Sequence, residues 1–170
     1  QPIPVIIDFV ENYVKDFKKG SIVTDISSIK SDVIDAVRPL FAEQGIHFIG
    51  SHPMAGSEKS GFANSSTTLY DNAVTFVCSF CTDDPAAINI VREVWRELNC
   101  RPVEIDAIVH DDVGAHSSPM LHLFASSITK VVLGSENSDI TKLACAGGFR
   151  DSSRIASSNP KMWAEVTQHN

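Results

Sequence analysis

The feature that most constrains this chain is a change of pattern about two thirds of the way along it. Before that point short β-branched runs alternate with amphipathic helical segments, and after it no strand-like run remains. An opening helix carries Val5, Ile6, Phe9, Val10, Tyr13, Val14 and Phe17 on one face. It is expected to close at Lys18-Lys19-Gly20, where cations suit the negative end of the macrodipole and glycine suits the C′ position. Strands are predicted at residues 21–26, 46–50, 73–78 and 102–105. A helix bearing Ile29, Val33, Ile34, Val37, Leu40 and Phe41 separates the first two, and another at residues 85–98, opened by Asp83, Asp84 and Pro85, separates the last two. Four strands interleaved with helices predict a parallel α/β sheet. A long helix is then predicted at residues 111–133, followed by a turn at residues 134–138 and shorter helical pieces. The domain boundary falls near Asp106–His110, dividing the chain into residues 1–108 and 109–170.

Composition narrows the functional classes. At 43% hydrophobic and 21% charged, the 170 residues suit a soluble globular protein rather than a disordered one. No apolar run nears the about 18–20 residues of a membrane span. The formal charge of −7 has the wrong sign for a phosphate backbone, so neither a membrane nor a nucleic acid is expected as a partner. Cys78, Cys81, Cys100 and Cys145 lack disulfide spacing, which points to reduced thiols and a cytoplasmic setting, or a plastid in a plant. The chain starts at Gln1-Pro2-Ile3 and stops inside a helix-like stretch, so it is expected to be a piece of something longer.

In open α/β sheets ligands bind beyond the carboxyl ends of the strands. That rule selects Ser27, Ser28 and Lys30 after the first strand, and Ser51, His52 and Glu58 after the second. His52 is braced by Pro53 and followed by the small residues Ala55, Gly56 and Ser57. An imidazole there suits proton transfer; a loop histidine bonding the backbone is the alternative. Ser28 can cap the following helix or hydrogen-bond both His52 and a cofactor. The absence of G-x-S-x-G argues against a serine hydrolase. Ser118 and His122, four apart, share a helix face, with a core histidine as the alternative for His122. H-E-x-x-H is absent and Cys78-x-x-Cys81 has no second pair, so no metal is expected. Arg150, Asp151 and Arg154 follow a Gly-Gly break, as a carboxylate grip or as a surface network.

Four segments occur together in order: Thr24-Asp25-Ile26-Ser27-Ser28-Ile29-Lys30; Gly50-Ser51-His52-Pro53-Met54-Ala55-Gly56-Ser57-Glu58-Lys59-Ser60-Gly61; His110-Asp111 leading to Ser118 and His122; and Gly147-Gly148-Phe149-Arg150-Asp151-Ser152-Ser153-Arg154-Ile155-Ala156. In this combination the chain resembles the prephenate/arogenate dehydrogenases of tyrosine biosynthesis over essentially its whole length. The resemblance implies an α/β fold, the C-terminal part of a Rossmann-type nucleotide-binding domain, followed by the start of an all-α dimerisation domain. The active site is expected between the domains, and a homodimer through the helical one.

The implied reaction oxidises prephenate to 4-hydroxyphenylpyruvate, with hydride passing to NAD or NADP and carbon dioxide lost. On the matching positions His52 would be catalytic, drawing the proton from the ring hydroxyl, and Ser28 would steady both His52 and the nicotinamide. Arg154 would hold the substrate side-chain carboxylate, with Ser118 and His122 lining the pocket and Glu58 near its mouth; Pro2 would lie on the cofactor side. Two departures stand out: Pro119 replaces a histidine common in the family, and the Gly-x-Gly-x-x-Gly turn is missing. The 170 residues alone are therefore expected to be inactive. Arogenate is the alternative substrate, but its ammonium calls for a carboxylate, and no acid lies between Ser118 and His122. A β-hydroxyacid-type dehydrogenase and a non-catalytic dimerisation or regulatory module are the other readings.

Overall fold

A computed structural model of the chain describes residues 3–56 and 62–169. They form two compact units, one drawn from residues 3–112 with His169 and one at residues 113–168.

In the first unit, β1 (Ile22–Thr24), β2 (His47–Pro53), β3 (Val74–Cys78) and β4 (Arg101–Ile105) form one sheet in that spatial order. β1 pairs with β2 and β3 with β4 in parallel, but β2 and β3 run antiparallel, with His52 opposite Phe76 and Pro53 opposite Thr75. This corrects the all-parallel expectation. A parallel neighbour needs a crossover back across the sheet, usually a helix, and the sequence between β2 and β3 carries no amphipathic helical pattern to make one. Pairing with β3 also prolongs β2 through Pro53, so His52 sits on a strand end rather than in the loop beyond it.

Alternation along β2 sends successive side chains to opposite faces. Phe48 stacks on Phe41 of α2 (Ser31–Glu43) at 5.5 Å, while Ile49 joins Ala87, Val91 and Trp95 of α3 (Pro85–Glu97) in a second apolar cluster. Gly50 lies under α2: a Cβ there would stand 2.9 Å from Ile34 Cδ1, so a larger residue would have to displace the Ile34 side chain. Asp84 caps α3, its carboxylate accepting from Ala86 N at 2.8 Å ahead of Pro85, as the sequence predicts.

The opening helix is shorter than expected. α1 (Ile3–Tyr13) passes into a 3-10 turn at Val14–Asp16, and Phe17 leaves in an extended conformation with its ring edge-on to Phe41 at 5.5 Å. Gly20, with φ +81°, therefore turns the chain toward β1, its N–H donating to the Gly45 carbonyl, instead of capping α1.

The long helix predicted at residues 111–133 is two helices. α4 (Ala107–Ser117) stops before Ser118 and α5 (Pro119–Leu133) starts at the proline. Proline lacks the N–H that would continue the ladder and disfavours helical geometry in the residue before it, so the break falls there. The second unit continues with α6 (Ser138–Ala144), α7 (Gly147–Ser153), a 3-10 turn at Arg154–Ser157 and α8 (Pro160–His169). Among the described residues no helix is long and apolar enough to cross a membrane, and no group of His, Cys, Asp or Glu is arranged to hold a metal ion.

Candidate active site

In the first unit the end of β2 is held from several sides. Ser51 N donates to Asp25 Oδ1 at 3.0 Å, its carbonyl accepts from Lys30 Nζ at 2.8 Å, and its hydroxyl meets Thr24 Oγ1 at 2.7 Å and Trp95 Nε1 at 3.0 Å. Lys30 is 0% exposed, ion-paired to Asp25 and within 2.9 Å of Ser27 Oγ. Burial lowers the Lys30 pKa, opposed by the Asp25 carboxylate. This buried pair fixes the Ser27 turn and the strand residue preceding His52 together.

Half-buried His52 presents Nδ1 to Nε2 of His110 at 2.9 Å. His110 lies in the first turn of α4, whose start is capped by Asp106 Oδ1 accepting from Ile108 N and Val109 N. Its Nδ1 lies 2.7 Å from Asp111 Oδ1, and the Asp111 carboxylate accepts the N–H of Lys30 at 2.9 Å and of Ser31 at 2.7 Å at the start of α2. Burial works against the Asp111 charge, yet the hydrogen bonds from His110, Ser31 and Lys30 hold its carboxyl down at about 2. Burial, reinforced by His110 and Lys30, lowers His52 from its ordinary 6.5 to about 4. His52 is thus a neutral imidazole at physiological pH, able to accept a proton.

The lowered His52 pKa has a consequence for stability. Between pH 6.5 and about 4 the unfolded chain takes up a proton that the folded site refuses, so stability is full above 6.5 and falls as the pH drops toward 4. The loss amounts to about 3 kcal/mol. Urea midpoints of the wild type across this window should fall with pH, and those of His52→Asn should fall less. Equal slopes for the two proteins would contradict the assignment.

Ser28 is exposed and does not cap α2, whose N-cap is Lys30. It makes no hydrogen bond among the described residues; the partner of His52 is His110, not Ser28. Glu58 and Pro2 lie outside the described residues. Cys78 is buried, which pushes its thiol up to about 12, while Cys81 is exposed, and both are free.

The second unit places the other candidates. His122 Nδ1 bonds the Ser118 carbonyl at 3.0 Å, and its ring stacks on Trp163 at 3.5 Å. A carbonyl only accepts, so Nδ1 carries the hydrogen and Nε2 remains an acceptor in the neutral ring. A cavity of about 410 Å³, lined by His122, Trp163, Ser126 and Ile155 among others, opens beside this stack, and among the described residues no carboxylate lines it. Arg150 and Arg154 are exposed, and no ion pair joins them to Asp151 among the described residues.

His110 is the functional candidate that sequence reasoning names, in the third family segment, without giving it a role. It follows β4 as His52 closes β2, so the strand-end rule that selects His52 could have selected it too.

Comparison with known proteins bears on these positions. Residues 1–104 match the family described as prephenate dehydrogenase, nucleotide-binding domain, and residues 106–170 match prephenate dehydrogenase, dimerization domain. The chain is 35% identical over 150 residues to prephenate dehydrogenase of Bacillus subtilis (strain 168), covering 88% of this chain and 40% of that protein. To the prephenate dehydrogenase of Lactococcus lactis subsp. cremoris it is 32% identical over 171 residues, covering 99% and 46%. It thus spans less than half the length of these relatives. The crystal structure of prephenate dehydrogenase from A. aeolicus in complex with hydroxyphenyl propionate and NAD+ shares the fold, with a TM-score of 0.89 at 24% identity, over 99% of this chain and 58% of that one.

Proposed function

The chain belongs to the prephenate dehydrogenase family, and from that premise we propose that the protein carrying it converts prephenate to 4-hydroxyphenylpyruvate with NAD or NADP, in tyrosine biosynthesis. The observation that carries the reading is a neutral, half-buried His52 on the strand end where the family's Ser-His-Pro-Met-Ala-Gly loop begins.

The residues present fit the nicotinamide end of the cofactor. Beyond β1 they offer Ile26, 58% exposed, and the exposed Ser28 hydroxyl, with His52 at the end of the parallel neighbour β2. An apolar face with one hydroxyl suits a nicotinamide ring and its amide. The pyrophosphate end finds no Gly-x-Gly-x-x-Gly turn in the 170 residues. When bound, the nicotinamide supplies the hydride acceptor. His52 takes the ring hydroxyl's proton: as hydride leaves, that hydroxyl becomes the O–H of a protonated carbonyl, acidic enough for a weakly basic imidazole. Ser28 steadies the nicotinamide, Arg154 holds the side-chain carboxylate, and Ser118, His122 and Glu58 complete the substrate's surroundings.

Among the described residues no carboxylate lines the cavity beside His122 and Trp163, which favours prephenate, whose keto group needs no counter-charge, over arogenate with its ammonium. Exposed apolar side chains on α5 and α6, among them Phe124 at 60% and Leu143 at 88%, support pairing of two copies through the helical domain. Four free cysteines suit a reducing, cytoplasmic setting. Assaying the intact protein with both substrates and both nicotinamide cofactors tests the reading. The expected result is prephenate turnover with kcat/KM at least about tenfold above that for arogenate, an advantage of about 1.4 kcal/mol. Preference for arogenate would overturn the substrate assignment.

A further inference from the structure

We infer that Asp111 and His110 act on the reaction through His52, fixing the tautomer in which His52 Nδ1 bears the hydrogen and Nε2 is the free acceptor. This rests on His52 being the proton acceptor proposed above.

The sense of the hydrogen-bond chain follows from its far end. The Asp111 carboxylate receives two backbone N–H groups at the start of α2, from Lys30 and Ser31, and an ionised carboxylate only accepts. The hydrogen in its 2.7 Å contact with His110 therefore belongs to His110 Nδ1. With its one N–H given to Asp111, a neutral His110 keeps a lone pair on Nε2, and the hydrogen in the 2.9 Å contact with His52 then belongs to His52 Nδ1. The opposite edge of the His52 ring, carrying Nε2, is then unprotonated. His110 is 1% exposed and edge-on to Phe76 at 5.4 Å, which holds the intermediary ring in place. Three elements thus converge on one atom's protonation state: α2 through its first N–H groups, α4 through Asp111 and His110, and β2 through His52. His110 and Asp111 are positioning residues; the group that meets the substrate is His52.

Two readouts test this. In the intact protein labelled with ¹⁵N-histidine, imidazole ¹H–¹⁵N correlations at neutral pH, with His52 assigned by its loss in His52→Asn, should show His52 protonated at Nδ1. An Nε2–H form would overturn the inference, and this measurement needs no variant at His110. In kinetics, His110→Phe keeps the ring volume but offers no acceptor, and kcat is expected to fall about 10- to 100-fold at unchanged KM. His110→Gln, whose amide oxygen can accept from His52 Nδ1, should recover part of that loss. A His110→Phe enzyme within about threefold of wild type would overturn the inference, as would a His110→Gln enzyme no better than His110→Phe. If His52→Asn instead retained full kcat, the proton-acceptor reading itself would fail, whatever tautomer His52 adopts.

Discussion

Replacing His52 with asparagine is expected to lower kcat by about three orders of magnitude while KM changes by no more than about twofold, the pattern of losing a proton acceptor that acts in the transition state. Asparagine is a demanding choice of variant. Its amide can still donate toward His110 Nε2, which lies 2.9 Å from His52 Nδ1 in the wild type, so that side of the site stays satisfied. What disappears is the Nε2 lone pair. Steady-state kinetics of the intact protein measure the effect, and an unchanged kcat would remove His52 from the catalytic role.

The second large effect concerns the support beneath His52. Lys30→Ala should destabilise the first unit by about 3–5 kcal/mol, because it leaves the Asp25 carboxylate buried without its counter-ion. Asp25 retains Ser51 N and Ser27 N, each at 3.0 Å, and the Ser27 hydroxyl, but three neutral donors do not replace a cation. The double variant Lys30→Met with Asp25→Asn removes both charges and is expected to recover most of the loss, since a buried pair is often replaced without cost by groups of similar volume. Urea unfolding of the three proteins makes the comparison. A loss below about 1 kcal/mol in Lys30→Ala would mean that Asp25 does not depend on this partner. The same substitution frees the Ser51 carbonyl, so the alignment of His52 should loosen together with the fold.

These two side chains show how far the sequence could be read. His52 was legible because it closes a β-branched run, and position at a strand end is a property of a local pattern. Lys30 was noticed for its place after β1, but its burial was not, because lysine normally reads as a solvated residue. Its partners, Asp25 and Ser51, come together only once β1 and β2 pair. The role of His110 stayed hidden for a similar reason: its bond to His52 spans 58 residues and depends on where α4 starts beside β2. The four strands followed from the alternation, but their order in the sheet and the direction of β3 did not. A polar stretch of chain without a helical stripe says little by itself about which way the next strand will run. The break at Ser118–Pro119 was the most readable of the missed features. Apolar periodicity on both sides outweighed the proline, although proline rules alone mark the boundary. In the second unit, the contact of His122 with Trp163 joins residues on α5 and α8, and no local spacing announces it. The direction of Arg154 toward a carboxylate rests on the family match, since the side chain is exposed and its spacing serves a surface network equally well.

The central claim is an oxidative decarboxylation in which proton removal at His52 accompanies hydride loss. Its most direct measurement is the product balance of the intact protein supplied with prephenate and oxidised nicotinamide cofactor. The account predicts equal amounts of reduced cofactor, carbon dioxide and 4-hydroxyphenylpyruvate. Prephenate left unchanged, or cofactor reduced without release of carbon dioxide, would contradict it.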